Sequence, residues 1–453
     1  MHNAFIAAAS SAAKVHLVRP AGWEEVSKAL PESVVHLASA NDFTGKSGEL
    51  VVSGGADGAR DHVLYGLGEA VDALAVAGLS AKLPEGDYQI ETDGGLPLAH
   101  IAAGWADGAY RFDRYLKDKA SPPRLVIGED KDADALDREA AAVSLLRDLI
   151  NTPAQDMGPS GIEAAVRQIA EDHGADVVVT EGDALLEQNY PMIHAVGRAA
   201  PEAPRLIELT WGNPDHPELA LVGKGVAFDT GGLNLKTGNY MRLMKKDMGG
   251  SAHVIALSKL VMSSNLPVRL KLYVPAVENA VDGNAFRPGD VLSTRKGLTV
   301  EIDNTDAEGR LILGDALTRA CESDPDLLID FATLTGAARV AVGPDLAPFY
   351  TDDGDLVDAI NAAGAVSGDP VWRMPLWDPY KSMLKSSIAD MQNAGGSFAG
   401  SITAAIFLKQ FVDARRWVHL DVWGWRLGKY GRPEGGAACG LRAMWTMLRT
   451  RYA

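Results

Sequence analysis

Apolar residues recur along the 453-residue chain at two spacings, and each spacing predicts a different element. Short apolar runs closed by glycine, proline or charge predict strands. They fall at 34–39 (VVHLAS), 123–128 (PRLVIG), 174–182, 204–212, 218–225, 268–278, 298–303 and 326–336. Residues 59–78 combine a short strand with an alanine-rich helix. AYRFDRYL, at 109–116, reads as part of a helix. Leu136, Val143, Leu146 and Ile150 predict a helix over 133–150, stopped by Asn151, Thr152 and Pro153. Ser160 is placed to cap the next helix, which runs through 161–174. Longer helical patterns cover 249–264, 308–323, 353–366 and 401–414.

Strand and helix alternate, which indicates α/β architecture. The unbroken apolar run DLLIDFATL fits a strand covered on both faces. The chain is long enough for two domains. The expected division is an N-terminal α/β domain at 1–132, a connecting helix at 133–152 and a larger α/β domain at 153–453.

Composition narrows the functional classes. With 60 acidic and 43 basic residues the net charge is -17. Such a field disfavours nucleic acid and anionic membranes and suits cationic ligands. Cys321 and Cys439 are the two cysteines, too few for a disulfide framework, and a reducing compartment is the simpler expectation. No apolar run has the length and purity of a membrane span, and the first twenty residues or so lack the basic segment and long apolar core of a leader. A cytoplasmic protein is expected.

Three segments carry candidate chemistry. LVGKGVAFDTGGLNLK, at 221–236, is an apolar strand running into glycine-rich turns that display Lys224, Asp229 and Lys236. Taken alone, it fits a surface turn equally well. Asp247 stands just before Gly249, Gly250 and an apolar helix, where it is either an N-cap or a carboxylate aimed into a site. Within 301–308 there are four acidic residues, followed by Arg310. A helix start accounts for one of these acids but poorly for the cluster. Converging carboxylates repel one another, and divalent cations reverse that penalty. If Asp229, Asp247, Asp306 and Glu308 meet, their charge matches two divalent metals, which can hold a hydroxide nucleophile and stabilise an oxyanion. The chain lacks an HExxH helix, and His173, His194, His253 and His419 show no paired metal spacing. His253 reads as packing or surface. The centre is therefore expected to be oxygen-rich, which suits manganese or magnesium and also permits zinc.

Together these segments resemble the cytosolic leucyl aminopeptidase family. NTDAEGR at 304–310 reproduces its signature. VGKG, FDTGG, the following lysine and KxDMGG keep the family order. INTPAQDMGP, FATLTGA, SIADMQNAGG, SITAAIFLKQFV and WVHLD extend the match over most of 145–442. The resemblance implies a small N-terminal α/β domain and a larger metallopeptidase domain with a mixed central sheet. It implies one metal on Lys224, Asp229, Asp247 and Glu308, and a second on Asp229, Asp306 and Glu308 with the Asp306 carbonyl. Lys236 is implied as the catalytic lysine, and Arg310 as the holder of a bicarbonate ion. Met244, Asn304, Thr333, Leu334, Gly336 and the region of Ala438 are implied for substrate contacts. The implied reaction is hydrolysis of the first peptide bond of a peptide with a free N-terminus, leucine or similar residues preferred. It would depend on two divalent ions, Mn2+ or Zn2+ with Mg2+ also suitable, in a homohexamer. A metal-bound Lys224 must be neutral, which costs about 4–5 kcal/mol at neutral pH, whereas Lys236 acts as a cation.

Three places depart from the family pattern: Lys245 and Lys246 before Asp247, the two tryptophans of DVWGW at 421–425, and AACGLRAM near the C-terminus. They bear on first-residue preference rather than on hydrolysis. Two other functions stay open at this point. One is a non-catalytic, DNA-regulatory protein on the same scaffold, which would need a lost ligand. The other is a two-metal phosphoesterase, which the carboxylates alone permit but the ordered lysines and NTDAEGR disfavour.

Overall fold

The computed structural model describes residues 1–55, 60–69, 72–428 and 434–453. The chain divides into two units, Met1–Ser144 with Arg426–Glu434, and Leu145–Trp425 with Gly435–Ala453.

In the first unit, β1 (Phe5–Ile6), β2 (Ala13–Val18), β3 (Leu50–Gly54), β4 (Arg60–Gly66), β5 (Gly86–Thr92) and β6 (Pro123–Val126) form one sheet. Its order is β1-β6-β5-β2-β4-β3. Every pair is parallel except β3 with β4. The helices are α1 (Trp23–Ala29), α2 (Glu32–Ala40), α3 (Ala77–Ser80) and α4 (Leu98–Ala109), and α5 (Lys131–Asn151) runs on into the second unit. Val15, Leu17, Val63, Tyr88, Trp105 and Leu125 are part of the core.

Several expectations fail here for local reasons. VVHLAS is not a strand; it lies in α2. The buried residues of that helix are Val34 and Ala38, four apart, and they pack with Leu64, so the spacing that mattered was helical. The strand in 59–78 is present as β4, but the helix among its described residues is only α3, while Ala59, Ala70 and Val71 lie outside the described residues. AYRFDRYL is not helical beyond Ala109. Helix α4 has buried residues on all sides, whereas Tyr115 and Leu116 past its end are exposed, so a longer helix would have no face to bury.

In the second unit the chain runs α6 (Pro159–His173), β7 (Asp176–Glu181), α7 (Ala184–Glu187), α8 (Pro191–Gly197), β8 (Arg205–Trp211), β9 (Glu218–Gly223) and β10 (Gly225–Asp229). A 3-10 segment, Gly238–Met248, leads into α9 (Gly249–Ser263), β11 (Arg269–Asn279), β12 (Val291–Ser293), β13 (Thr299–Glu301) and α10 (Gly309–Cys321). Then come β14 (Leu327–Ala332), α11 (Gly336–Val342), β15 (Ala347–Tyr350), α12 (Gly354–Ser367), β16 (Val371–Arg373), β17 (Met391–Gln392), α13 (Gly400–Lys409), β18 (Trp417–Asp421) and α14 (Leu441–Tyr452). Ser160 does not cap α6: it sits inside the first turn, Gly158 is the cap residue, and the Ser160 N–H is taken by the Glu202 carboxylate. The end of that helix is closed by Gly174 in the left-handed conformation.

Among the described residues the main sheet has nine strands, in the order β16-β15-β18-β14-β9-β11-β8-β7, with β10 paired to β11. It is mixed. β18, β14, β9 and β11 run parallel, whereas β8 is antiparallel to β11 and β15 to β18. β14 is buried along its whole length, as a strand covered on both faces should be. The parallel centre brings the ends of β9, β10, β11, β14 and β18 to one edge, where Lys224, Asp229, Asn279, Thr333 and Asp421 stand.

His253 is a packing residue. Its ring stacks on Phe331, Nδ1 lies 2.6 Å from the Gly249 carbonyl, and Nε2 accepts the Cys439 N–H at 3.1 Å. Burial pushes its pKa down to about 4, the Gly249 and Asp369 contacts opposing only in part. The unfolded chain therefore binds the proton first as pH falls, and stability present above about pH 6.5 is lost toward pH 4. Urea unfolding at about pH 7 and pH 5 should differ by about 2 kcal/mol from this group. The expected result is a shallower dependence in His253→Asn than in the native chain; equal slopes would remove the assignment.

Candidate metal and active site

Lys224 follows β9 directly, and its buried side chain crosses the start of α10. Gly309 makes room for it, because a Cβ there would collide with the lysine. Its Nζ lies 2.7 Å from Asp247 Oδ2 and 2.9 Å from Glu308 Oε1, and donates to the Thr333 carbonyl at 3.0 Å. Asp229, at the end of β10, accepts the Gly231 N–H at 2.8 Å and the Asn279 amide at 2.9 Å on Oδ1. Its Oδ2 lies 2.8 Å from Lys236 Nζ, which also donates to Asp306. Gly231 has φ +88, and a Cβ on it would press on the Asn234 carbonyl and on Asp306, so glycine is required at this turn.

Asp247 is not the cap of α9. That position is Met248, without a side-chain bond, and Asp247 Oδ1 accepts the Thr333 hydroxyl at 2.9 Å. Glu308 stands at the cap position of α10 but makes no side-chain cap bond. The five expected metal residues are therefore brought together, and oxygens of Asp229, Asp306 and Glu308 lie within 4.8 Å of one another.

The electrostatics fit a divalent cation. Neither buried oxygen of Glu308 has a hydrogen-bond partner, although Oε1 is in ion-pair range of Lys224. Burial first, and Asp229 second, push Glu308 up to about 8 and Asp306 up to about 6. Burial alone would lower Lys224 and Lys236, but Asp247, Glu308 and Asp229 around the first, and Asp229, Glu308 and Asp306 around the second, raise both above the ordinary lysine value. Ammonium groups thus balance the carboxylates, and a divalent ion among them would displace the Lys224 proton. Burial lowers Arg310 to about 10, with Glu308 and Asp421 opposing. Its Nη1 donates to the Asn393 carbonyl at 2.7 Å.

These groups open onto a cavity of about 790 Å³. Lys236, Arg310, Met244, Asn304, Thr333, Leu334 and Gly336 line it; Ala438 does not, and Trp423 does. The Leu334 N–H donates to Asp421 Oδ1 at 3.0 Å. The Asn304 side chain accepts the Asp306 N–H at 2.8 Å and bonds Asn234. It shapes the turn that carries the acids.

Four positioning residues escaped the sequence analysis. Asn279 bonds Asp229 and the Thr305 carbonyl. Thr305 donates to the Gly231 carbonyl at 2.7 Å and accepts the Asn234 N–H at 2.8 Å, tying the two acid-bearing loops. Asn393 accepts the Asp303 and Asn304 N–H groups and donates to the Asn304 carbonyl. Asp421 takes the Leu334 and Thr335 N–H groups and the Thr335 hydroxyl. Thr305, Asn393 and Asp421 lie within NTDAEGR, SIADMQNAGG and WVHLD, but no spacing marks Asn279. The departing lysines also find places. Lys245 donates to the Asn151 carbonyl and lies 5.6 Å from the Trp425 ring centroid, while buried Lys246 is 3.8 Å from Asp247.

A mixed α/β sheet carrying an acidic, metal-competent centre at its strand ends defines a metallohydrolase. The chain belongs to the cytosol aminopeptidase family. The model of that family's catalytic domain matches 144–445, and the M17 aminopeptidase N-terminal domain matches 19–128. A Stenotrophomonas maltophilia protein named "Probable cytosol aminopeptidase" is 38% identical over 95% of this chain and 94% of its own. The crystal structure of cytosol aminopeptidase from Coxiella burnetii superposes with a TM-score of 0.94 at 39% identity, covering 100% of both chains. The bottromycin maturation enzyme BotP in complex with Mn gives 0.87 at 32% identity, covering 98% of this chain and 100% of that one. Membership carries the coarse activity with it: metal-dependent release of N-terminal residues. Among the described residues no helix is long and apolar enough to cross a membrane.

Removing the Asn279 amide should loosen Asp229 without touching the ligand set. In Asn279→Ala, metal affinity measured by equilibrium titration is expected to fall about 10–100-fold, with the folded circular-dichroism spectrum kept. Unchanged affinity would take Asn279 out of the site.

Proposed function

We propose that the chain is a dinuclear aminopeptidase that releases unblocked first residues, leucine and similar apolar ones preferred. The observation that supports it most is the buried, donor-poor Glu308 carboxylate beside Asp229 and Asp306. Lys224, Asp229, Asp247 and Glu308 would hold one ion, and Asp229, Asp306 with its carbonyl, and Glu308 would hold the other. Bound there, the ions supply an activated water and polarise the scissile carbonyl. Manganese or zinc fits, and magnesium also suits the oxygen-rich donors.

The chain's own groups do the rest. Lys236 keeps its proton through its acidic neighbours and puts a fixed positive charge where the carbonyl oxygen becomes negative. Arg310 would hold a bicarbonate, which would supply a group for proton transfer. The Leu334 carbonyl orients a peptide N–H, and Met244, Thr333 and Gly336 receive the first side chain with Asn304 nearby. The catalytic domain is the 153–453 segment, joined through 133–152 to the 1–132 domain. The assembly is a homohexamer that acts in the cytoplasm on peptides, without membrane or nucleic-acid partners.

Leucine amide hydrolysis should vanish on chelation and return with Mn2+ or Zn2+; full turnover after verified metal removal would overturn the proposal. A leucyl peptide should be cut, and its N-acetylated form should be a very poor substrate. Lys236→Ala should lower the chemical rate by roughly 10²–10³ with metal content kept, whereas Lys224→Ala should lose metal. Metal content and rate measured on the same samples separate the two, and equal metal loss would contradict the assignment.

A further inference from the structure

Arg339 stands on α11 one turn after Gly336, with its guanidinium carbon 5.0 Å from the ring centroid of Trp423. Both side chains line the cavity that contains Lys236 and Met244. Trp423 lies two residues past Asp421, which fixes Leu334 and Thr335. The neighbouring Gly424 abuts Thr333, since a Cβ there would stand 3.3 Å from Thr333 Cγ2. The arginine and the tryptophan therefore share a wall with Thr333 and Gly336, where the first side chain of the peptide is proposed to lie.

The chemistry of this wall is specific. In a chain with 60 acidic residues, Arg339 pairs with no carboxylate among the described residues and stacks on an indole instead. Contact with an aromatic face limits the guanidinium's motion and leaves its N–H donors available for a bidentate carboxylate. The half-buried position screens such a pair less than open solvent would. A cationic side chain at the same place meets repulsion from the guanidinium.

We infer that Arg339, positioned by Trp423, makes acidic first residues a second substrate class beside apolar ones and rejects basic first residues. The inference rests on the aminopeptidase reading above. The carboxylate of a first-residue aspartate or glutamate takes the open guanidinium donors, while the indole walls the pocket for apolar side chains.

The test uses the full, metal-loaded chain and the p-nitroanilides of glutamate, leucine and lysine. The native kcat/KM should favour glutamate over lysine by about tenfold or more, the scale of one charge-assisted hydrogen bond. Arg339→Ala should bring that ratio toward one, Arg339→Lys should keep part of it, and Arg339→Glu should invert it. A folding defect lowers all three substrates together and cannot invert a ratio. Binding of free L-glutamate and free L-lysine, followed by calorimetry, should show the same reversal without turnover. A glutamate-to-lysine ratio unchanged in Arg339→Glu, or a native preference for lysine, would overturn the inference while leaving leucine release standing. Failure to hydrolyse any of the three with metal restored would instead defeat the aminopeptidase reading.

Discussion

Carboxylates crowded into a dry space must be given positive charge, and the architecture of the second unit follows from that requirement. Asp229, Asp247 and Glu308 are almost wholly buried, and Asp306 joins them. Isolated burial of such charges would cost several kcal/mol each. Lys224 and Lys236 are threaded among them, and the same arrangement suits a divalent ion, which concentrates more charge than an ammonium group can. The conflict between burial and ionisation is what fits the place for a metal ion.

Such a cluster needs a rigid frame, because its members would otherwise move apart. Parallel strands supply the coarse frame by ending at one edge. Asn279, Thr305 and Asn393 supply the fine one, through side-chain bonds to loop backbone and to Asp229. All three are neutral. A charged residue in their place would add to the field that the lysines balance, whereas an amide satisfies donors and acceptors together.

The places that depart from the family pattern lie around this frame rather than in it. Lys245 turns to a backbone carbonyl and an indole, and Trp423 forms part of the cavity wall with Arg339. In the proposed reading, chemistry and selectivity fall to different residues: the carboxylates and lysines at the strand ends, and the side chains of α11 and the loop after β18.

Much of this was legible in the residues. The strands β7, β8, β9, β11, β13 and β14 and the helices α5, α6, α9, α10, α12 and α13 follow from apolar spacing, and Asp229, Asp247, Asp306 and Glu308 stand out by their clustering near glycine turns, because those signals are local and survive in one dimension. β10 stands where a glycine-rich turn is expected, β12 and α14 carry no such signal, and the places of Lys224 and Lys236 came from the resemblance. The first unit was less legible. VVHLAS reads as a strand, yet Val34 and Ala38 pack with Leu64 from a helix, and AYRFDRYL looks helical until no face is there to bury it. Ser160 looked like a cap because a serine before a helix usually is one, yet Glu202, distant in sequence, took that N–H. Which tryptophan or alanine faces the pocket, and that Asn279 holds Asp229, were decided only by the tertiary structure. Those contacts join residues far apart in the chain, and their partners are chosen by packing and by the need to satisfy buried polar groups, neither of which leaves a local periodic trace.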